Sequence, residues 1–502
     1  MNKKILSSTE QKAKDLARQG DYVSALMIHR ELCKELPERA DLHLNTGILC
    51  IQCNRYLEAE SYLKRSLEIQ PDIMPAHYYL GDLYIHTRNY HNAITHLTRA
   101  AEIQPGNSQP QIRLGDAFFL TGRLAEAERH YYSSLEDPQV NPIIYFKIGA
   151  VADAAGKFEE SIKYYSKYTS KVPHDYEGFN NLGLVFSKCG KFRKAINCFK
   201  QSLALKPQQP TIAFNTGVGL QALNNEDEAC DYYRRAIQIS PRHAQAHANL
   251  GYLLHSIGKH EEALVSMKTA ARILPDDPQV QHMLASIGGT ETPATASPDY
   301  VRQTFDNYAS RFDQHLTSKL HYKIPELLLS CFLEIFPQPS TNLNILDLGC
   351  GTGLCGQLLK PYATRLIGVD LSPKMLEEAT KKGVYDVLVT ADIQDYLNAT
   401  TDIFDAIFAA DVFVYIGNLE RIFSECSTHL PMNGLFAFSV EDEPDIGKTY
   451  ILRPTGRYAH SRNYIETLCR VANFRVIIAR TEVLRLQDEK PVNGCLFILK
   501  KT

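Results

Sequence analysis

The apolar and small residues in the first half of the chain repeat every 34 positions. Glycine holds the same place in seven successive units, at Gly47, Gly81, Gly115, Gly149, Gly183, Gly217 and Gly251. A small residue follows each glycine twelve positions later, and a proline closes most units. A glycine opposite a small residue lets two antiparallel helices approach closely, and the proline stops the second helix. The pattern therefore predicts a tandem array of helix pairs.

The period and the small-small-proline pattern resemble tetratricopeptide repeats, of which we count eight over about residues 6–275. Each such unit buries its apolar face only against its neighbours. The resemblance therefore predicts one α-solenoid over residues 1–287, closed by a capping helix at 277–287. It also implies that a protein partner or acceptor binds in the concave groove.

The second half of the chain has a different rhythm. Residues 286–299 lose the period and consist mainly of Gly, Thr, Pro, Ala and Ser, which predicts a semi-flexible linker at 288–300. From 301 to 502, apolar runs of strand length alternate with helical segments, which is typical of an α/β Rossmann-like doubly wound sheet. Seven strands are predicted, at 344–348, 365–370, 387–391, 406–410, 435–440, 474–486 and 495–500.

The last two predicted strands differ from the others in their connection. Only eight residues, 487–494, separate them. A parallel crossover needs a dozen residues or more, so this pair is predicted to be antiparallel within a mostly parallel sheet. A dinucleotide-binding sheet normally lacks such a final hairpin.

A glycine-rich turn follows the first of these strands in the string N-ILDLGCGTG, residues 344–353. Glycines let the backbone turn sharply and let a ligand approach it. Asp370 ends the next strand, where a carboxylate can accept hydrogen bonds from two ribose hydroxyls. Gly351, Gly353 and Gly356 fit the dinucleotide pattern G-x-G-x-x-G. The pattern D-x-G-x-G-x-G also fits, and it accounts for the acid inside the strand.

In this second register the string resembles motif I of class I S-adenosylmethionine-dependent methyltransferases, which implies S-adenosyl-L-methionine as the cofactor. Three later segments resemble further motifs of that family: 369–376, 391–393 and 404–411. The resemblance assigns Asp370 to the ribose, Leu371 and Met375 to the adenine ring, and Asp392 to the adenine amine. The full implied cofactor set is Asp347, Gly349, Gly351, Gly353, Asp370, Leu371, Met375, Asp392, Ile393, Asp411 and Tyr308.

Two further strings narrow the resemblance. F-D-x-Y-A-x-x-F-D-x-H-L at 305–316 and G-R-Y-A-H-S at 456–461 are similar to a bacterial group of predicted methyltransferases that carry tetratricopeptide repeats. In related enzymes, aromatic residues of the first string close over the cofactor, which implies that Tyr308 and His315 reach the site. The alternative is a helix that only packs on the edge of the sheet.

Methyl transfer requires positioning more than proton transfer, so the family has no obligatory catalytic residue to find. The segment after the fourth strand, Ala410 to Tyr415, lacks the N/D-P-P-Y/F loop of many amide and adenine nitrogen methyltransferases. Oxygen, carbon, sulfur and other amine acceptors stay open. Candidate catalytic residues are Tyr415, Tyr458 and His460, the last two next to Arg457 on a loop at the ligand-binding edge of the sheet. The alternative for His460 is a structural hydrogen bond to the backbone.

Composition limits the remaining functional classes. The net charge of −3 argues against a broad nucleic-acid surface, and the sequence contains no apolar run of membrane-spanning length. The twelve cysteines are scattered, as in a reducing compartment, so we expect a cytoplasmic protein. Cys50 and Cys53 have no partner pair at zinc spacing, and His243 and His247 have no acid between them, so we expect no metal site.

These observations lead to one main hypothesis and three alternatives. The main hypothesis is an S-adenosylmethionine-dependent methyltransferase whose repeats recruit a protein acceptor or partner. The alternatives are a repeat scaffold with a regulatory or inactive methyltransferase domain, and a small-molecule O- or C-methyltransferase. An oxidoreductase, the third alternative, depends on the single G-x-G-x-x-G match.

Overall fold

The computed structural model describes residues 3–309, 312–318, 322–335, 342–443, 447, 449–487 and 490–502. The chain divides into two compact units, Met1–Ile239 and Ser240–Thr502. None of the described helices combines the length and the apolar composition needed to cross a bilayer.

The first unit consists of antiparallel helix pairs, as the repeat period predicts. Its helices are α1 (Lys3–Arg18), α2 (Tyr22–Glu35), α3 (Ala40–Gln52), α4 (Tyr56–Ile69), α5 (Met74–His86), α6 (Tyr90–Ile103), α7 (Ser108–Leu120), α8 (Leu124–Ser133), α9 (Ile143–Ala154), α10 (Phe158–Lys171), α11 (Tyr176–Lys188), α12 (Phe192–Leu205), α13 (Pro210–Gln221) and α14 (Glu226–Ile239). A 3₁₀ turn, Ser134–Glu136, follows α8.

The repeated glycines allow the close approach of the two helices in each pair. A Cβ added at Gly115 would lie 2.3 Å from Cε1 of Tyr131 in the partner helix. One added at Gly183 would lie 2.6 Å from Cε1 of Phe199. Both distances are far below a normal contact. A side chain at the repeated glycine position would therefore push the helices apart.

The second unit begins with the last helix pair of the repeat array. Its first helices are α15 (Ala244–Ser256), α16 (His260–Ile273) and α17 (Pro278–Ser286). The third of these is the capping helix predicted at 277–287. Asp277 caps it by accepting hydrogen bonds from the backbone N–H groups of Gln279 and Val280, both at 3.0 Å.

A single sheet forms the core of the rest of the second unit. Its strands are β1 (Leu343–Leu348), β2 (Ala363–Asp370), β3 (Val387–Thr390), β4 (Ala406–Ala409), β5 (Leu435–Asp442), β6 (Tyr450–Leu452), β7 (Tyr458–His460), β8 (Phe474–Gln487) and β9 (Lys490–Lys501). The first five lie in the order β3-β2-β1-β4-β5 and are parallel. β9 then runs antiparallel between β5 and β8, which confirms the predicted final hairpin.

Among the described residues the sheet has nine strands, whereas the sequence predicts seven. The extra two, β6 and β7, form a small hairpin whose second strand pairs with the end of β5. Strands of three residues are too short to show an alternating pattern, so the sequence does not reveal them.

Helices cover both faces of the sheet. They are α18 (Pro298–Asp306), α19 (Phe312–Ser318), α20 (Ile324–Ile335), α21 (Leu354–Leu359), α22 (Pro373–Lys382), α23 (Ile393–Ala399), α24 (Glu420–Thr428) and α25 (Arg462–Val471). Successive residues of β1 point to opposite faces. Leu346 joins the apolar cluster under α23, α24 and α25, and Ile345 joins the cluster under α20 and α21.

The segment predicted as a linker lies against the sheet domain. The backbone N–H of Gly417 donates to the carbonyl of Ala294 at 2.9 Å, and that of Ala296 donates to the carbonyl of Tyr415 at 2.9 Å. The hydroxyl of Tyr458 donates to the carbonyl of Pro293 at 2.8 Å. These bonds hold residues 293–296 in place; the domain boundary at 288–300 stays a prediction.

Candidate functional site

The carboxyl ends of four neighbouring strands meet along one edge of the sheet. Asp392 follows β3, Asp370 ends β2, the glycine turn follows β1 and Asp411 follows β4. Because the strands lie in the order β3-β2-β1-β4, these groups form a row. Neighbouring strands are about 4.8 Å apart, so the row is about 14 Å long. A cavity of about 690 Å³ opens along it.

Ten of the eleven residues that the resemblance assigns to the cofactor line this cavity. They are Asp347, Gly349, Gly351, Asp370, Leu371, Met375, Asp392, Ile393, Asp411 and Tyr308. The eleventh, Gly353, precedes α21 as its N-cap residue with φ +87° and lies against the ring of Tyr385. Its position supports the turn, and it does not line the cavity.

Asp370 is held by the backbone of two loops. Its Oδ2 accepts the N–H of Gly351 at 2.9 Å, and its Oδ1 accepts the N–H of Ser372 at 2.8 Å. Burial raises the pKa of this carboxyl to about 6, and these backbone N–H bonds limit the rise. The carboxylate is therefore fixed in orientation at the centre of the row.

Asp347 lies beneath the glycine turn and is 1% exposed. The hydroxyl of Tyr385 donates to its Oδ2 at 2.7 Å. Burial, with a smaller contribution from the nearby Asp370 and against the opposing effect of the Tyr385 bond, raises the pKa of Asp347 to about 7. A cationic ligand would lower the pKa of both Asp347 and Asp370, because it favours the charged form of each acid.

The glycine turn adopts a backbone that other residues rarely adopt. Gly349 and Gly351 have φ values of +64° and +53°. A Cβ at Gly349 would lie 2.5 Å from Cγ2 of Val412, whereas one at Gly351 would make ordinary contacts, with Cε of Met375 at 3.7 Å and Cε1 of Phe312 at 4.0 Å. Gly349 therefore admits no side chain, and the empty position at Gly351 is where a ligand can approach the backbone.

Two aspartates of the helices before the sheet bind the loops of the site. Asp306, the last residue of α18, accepts from the hydroxyl of Ser372 at 2.6 Å. Asp313 of α19 accepts from the hydroxyl of Thr352 and pairs with Lys382 at 2.7 Å. Sequence reasoning assigned neither acid a role. In the sequence, each of the two acids follows a phenylalanine within 305–316, and this repeated Phe-Asp pair is the signal that could have indicated them.

Aromatic rings close the cavity on the side of these helices. Tyr308 meets Phe312 edge-on, with centroids 5.4 Å apart, and Phe305 meets Tyr415 in the same way at 5.4 Å. All four rings line the cavity. The side chain of His315, predicted to reach the site, lies outside the described residues.

A cluster of buried ion pairs lies behind the β4 end of the cavity. Asp411, with φ +59°, binds Arg485 at 3.1 Å through Oδ1 and Arg457 at 3.3 Å through Oδ2. Arg485 is 2% exposed and also pairs with Glu441, which Arg453 binds at 3.1 Å. Sequence reasoning missed Arg485 and Glu441. Glu441 follows the apolar run of β5, and a charged residue there is a signal that could have revealed it; Arg485 stands in β8 among other charged residues, so its sequence context gives no such signal.

Of the three candidate catalytic residues, only Tyr415 lines the cavity. Tyr458 is fully buried and its hydroxyl is bound to Pro293. Nε2 of His460 donates to the carbonyls of Ile416 at 2.9 Å and Gly417 at 3.1 Å. Burial lowers the pKa of His460 to about 4, so its ring stays neutral. The positions of Tyr458 and His460 agree with structural roles, and we do not retain them as catalytic candidates.

The paired histidines of α15 have local bonding partners. Nδ1 of His243 accepts the N–H of Ala246 at 3.2 Å at the start of the helix. Nε2 of His247 donates to the carbonyl of Pro241 at 3.1 Å. These bonds place both rings at the N-terminal end of α15.

The chain matches two kinds of family model. Residues 346–438 match a model described as a methyltransferase domain. Residues 40–73, 75–107, 176–209 and 220–287 match models described as tetratricopeptide repeats. The chain therefore carries tetratricopeptide repeats in its N-terminal part and a methyltransferase domain in its C-terminal part.

Three curated relatives that carry methyltransferase names are similar to part of this chain. Human methyltransferase-like protein 27 is 37% identical over 22% of this chain and 46% of its own length. The malonyl-[acyl-carrier protein] O-methyltransferase of Legionella pneumophila is 34% identical over 33% and 58%. A probable S-adenosylmethionine-dependent methyltransferase of Saccharomyces cerevisiae, CRG1, is 29% identical over 28% and 51%. The chain thus spans about half the length of the curated relatives it matches.

Proposed function

We propose that this chain, which joins tetratricopeptide repeats to a methyltransferase domain, is an S-adenosylmethionine-dependent methyltransferase. The observation that carries the proposal is the row of strand ends from Asp392 through Asp370 and the glycine turn to Asp411, all beside one cavity. Its length of about 14 Å suits a nucleoside followed by an amino-acid chain.

The residues of the row fit the parts of this cofactor in order. Within the described part of the chain, only Oδ1 of Asp392 is engaged, by the N–H groups of Gln394 at 2.8 Å and Asp395 at 3.4 Å. Oδ2 can therefore accept from the adenine amine. Asp370 would hold the ribose, and the space at Gly351 would admit the methionine part. The cofactor's sulfonium supplies an activated methyl group, which this order directs towards Asp411 and Tyr415.

The protein's own contribution to such a reaction is positioning and exclusion of water. Phe305 of α18, Phe312 of α19 and Tyr308 between the two helices cover the cavity. The bonds of Asp306 and Asp313 hold these helices on the loops below. A methyl acceptor held on the axis of the departing sulfur needs little further assistance.

We further propose that the repeats recruit a protein acceptor or partner. An array of stacked helix pairs presents much more surface than a small metabolite requires. A partner held there would be tethered to the catalytic domain at an effective concentration on the order of millimolar. The similarity to a protein that methylates malonyl-[acyl-carrier protein] at oxygen favours an oxygen acceptor. A free small-molecule O- or C-acceptor is the alternative.

Calorimetry of the full chain tests the cofactor assignment. We expect saturable binding of S-adenosylmethionine and S-adenosylhomocysteine, and no binding of NAD. Saturation by NAD without binding of either methionine derivative would refute the assignment.

A comparison of the full chain with residues 240–502 tests recruitment. This fragment starts at the boundary between the two compact units and keeps His282, which bonds to Gly456. Circular dichroism first checks that it is folded. We expect a higher KM for a protein acceptor and the same affinity for S-adenosylhomocysteine. An unchanged KM would show that residues 1–239 do not recruit the acceptor.

A further inference from the structure

The β4 end of the cavity is where an acceptor would meet the methyl group, so its chemistry limits what the acceptor can be. Besides the hydroxyl of Thr295, four polar side chains of described residues line this end: Tyr322, Asp411, Tyr415 and Arg457. Among the described residues that line the whole cavity there is no histidine and no lysine.

None of these four side chains suits the role of a general base. Burial raises the pKa of Tyr415, and it raises that of Tyr322 well above the ordinary value, so both phenols keep their protons near neutral pH. Asp411 already pairs with two guanidinium groups, of Arg457 and Arg485. Arg457 is a permanent cation. An acceptor bound here must therefore arrive as an anion or with a lone pair already available.

Arg457 is the group that can hold an anion at this end. Its Nη1 binds Asp411 at 3.3 Å, and its guanidinium lies over the ring of Tyr415, 5.8 Å from the centroid. Its side chain is 22% exposed. In the part of the chain that the structure describes, Nη2 and Nε have no hydrogen-bond partner. A guanidinium edge with two unused N–H directions matches a carboxylate in a bidentate arrangement.

Among the described residues that line the cavity, Arg457 is the cation, and the acids Asp347, Asp370, Asp392 and Asp395 belong to β1, β2 and the segment after β3. Arg485 shares Asp411 with Arg457, and the cluster of Arg453, Arg457 and Arg485 with Asp411, Glu441 and Glu443 is balanced in charge. Glu441 is shared among Arg453, Arg457 and Arg485. Glu443 lies 3.7 Å from Arg453, and neither of these two residues lines the cavity.

We propose that the methyl acceptor is a carboxylate bound by Arg457 and that the product is a methyl ester. This inference rests on the proposed methyltransferase function and names the acceptor for the same site. A carboxylate oxygen forms the new bond to the methyl carbon with one of its lone pairs. The bond between methyl and sulfur breaks and its electron pair stays on sulfur. No proton is transferred, which agrees with a site without a base. A carboxylic acid is ionised at neutral pH, whereas an amine, a phenol or an alcohol must lose a proton during the reaction.

The chemical stability of the product tests this proposal. The full chain is incubated with methyl-tritiated S-adenosylmethionine and a bacterial cell extract, and the labelled fraction is treated with mild base. Carboxyl methyl esters release labelled methanol, which is collected by its volatility. Label on nitrogen, carbon, sulfur, phosphate or ether oxygen stays in place. Release of most of the label supports the proposal, and base-stable label overturns it while leaving methyltransferase activity intact. No label in any fraction would refute the activity itself, and the carboxylate assignment with it.

Two variants connect the result to Arg457. We expect Arg457→Gln to reduce base-labile labelling more than about 100-fold, because two charge-assisted hydrogen bonds are lost. Its affinity for S-adenosylhomocysteine should stay within about twofold, which also shows that the variant is folded. The control is Arg480→Gln, which removes a surface arginine paired with Glu334 at 3.0 Å in the same domain. Labelling by Arg457→Gln equal to that of the control would overturn the role of Arg457.

Discussion

Replacement of Asp370 by asparagine removes one charge at the centre of the candidate cofactor site and keeps the size of the side chain. In the present structure each carboxylate oxygen accepts one backbone N–H, from Gly351 and from Ser372. An asparagine can accept only one of these, because its amide nitrogen would face the other N–H with a second donor. The substitution therefore disturbs the side chain's own support as well as its capacity to accept from ribose hydroxyls.

The expected loss follows from the hydrogen bonds involved. Each hydrogen bond to a charged group contributes about 1.5–3 kcal/mol. Loss of one such bond to the ribose corresponds to an increase of about 10–150-fold in the dissociation constant. If both ribose hydroxyls bind Asp370, the effect is larger. Because burial raises the pKa of Asp370 to about 6, the comparison belongs at pH 8, where the wild-type carboxyl is ionised.

Calorimetric titration with S-adenosylhomocysteine measures this change. The matched control is Asp386→Asn, because Asp386 also accepts a backbone N–H, from Leu366 at 2.7 Å, and lies outside the cavity. We expect the control to bind as the wild type does. Equal affinity of the Asp370→Asn variant and the wild type would refute the assignment of Asp370 to the ribose.

Three further predictions follow from the same site. Gly349→Ala should abolish binding of S-adenosylhomocysteine and lower the Tm, whereas Gly383→Ala, at the same φ of +64° but in open space, should lose only about 1–3 kcal/mol of stability through backbone strain. Equal losses of stability in thermal unfolding of the two variants would contradict the clash with Val412. His282→Ala should raise the KM of the acceptor, because Nε2 of His282 donates to the carbonyl of Gly456 at 2.8 Å, next to Arg457. The control His247→Ala, which removes a bond to Pro241, should leave the KM unchanged, and an unchanged KM in both variants would show that the His282 contact does not position Arg457. The affinity for S-adenosylmethionine should fall as the pH is lowered from 8 to 5. In the free protein the pKa is about 7 for Asp347 and about 6 for Asp370, and the cationic cofactor favours the charged form of each acid and so lowers both pKa values. Constant affinity in a calorimetric pH series would contradict this.

The sequence predicts well those parts of the fold that depend on residues close together along the chain. The 34-residue period predicts the helix pairs and the capping helix α17, because each repeat is a local unit with its own glycine and proline. The short connection between β8 and β9 predicts their antiparallel pairing for a similarly local reason. On the candidate cofactor side, each predicted residue belongs to a short contiguous motif at or near the end of a strand, so local patterns predict that these residues lie at this edge of the sheet.

The acceptor side depends on contacts between distant positions, which no local pattern contains. Arg485 reaches Glu441 and Asp411 from 44 and 74 residues away. The loop before α25 was predicted to lie at the correct edge of the sheet. Its short strand β7, however, turns Tyr458 and His460 inwards and leaves Arg457 beside the cavity. The direction of a side chain in a three-residue strand depends on pairing with β5 and β6, which the sequence does not display.

A crystal structure of the full chain with S-adenosylhomocysteine tests the central claim most directly. We predict density in the cavity with the adenine amine within hydrogen-bond distance of Asp392, the ribose hydroxyls on the carboxylate of Asp370, and the sulfur towards Asp411 and Tyr415. Density with the adenine at the Asp411 end, or a ligand bound outside this cavity, would contradict the account.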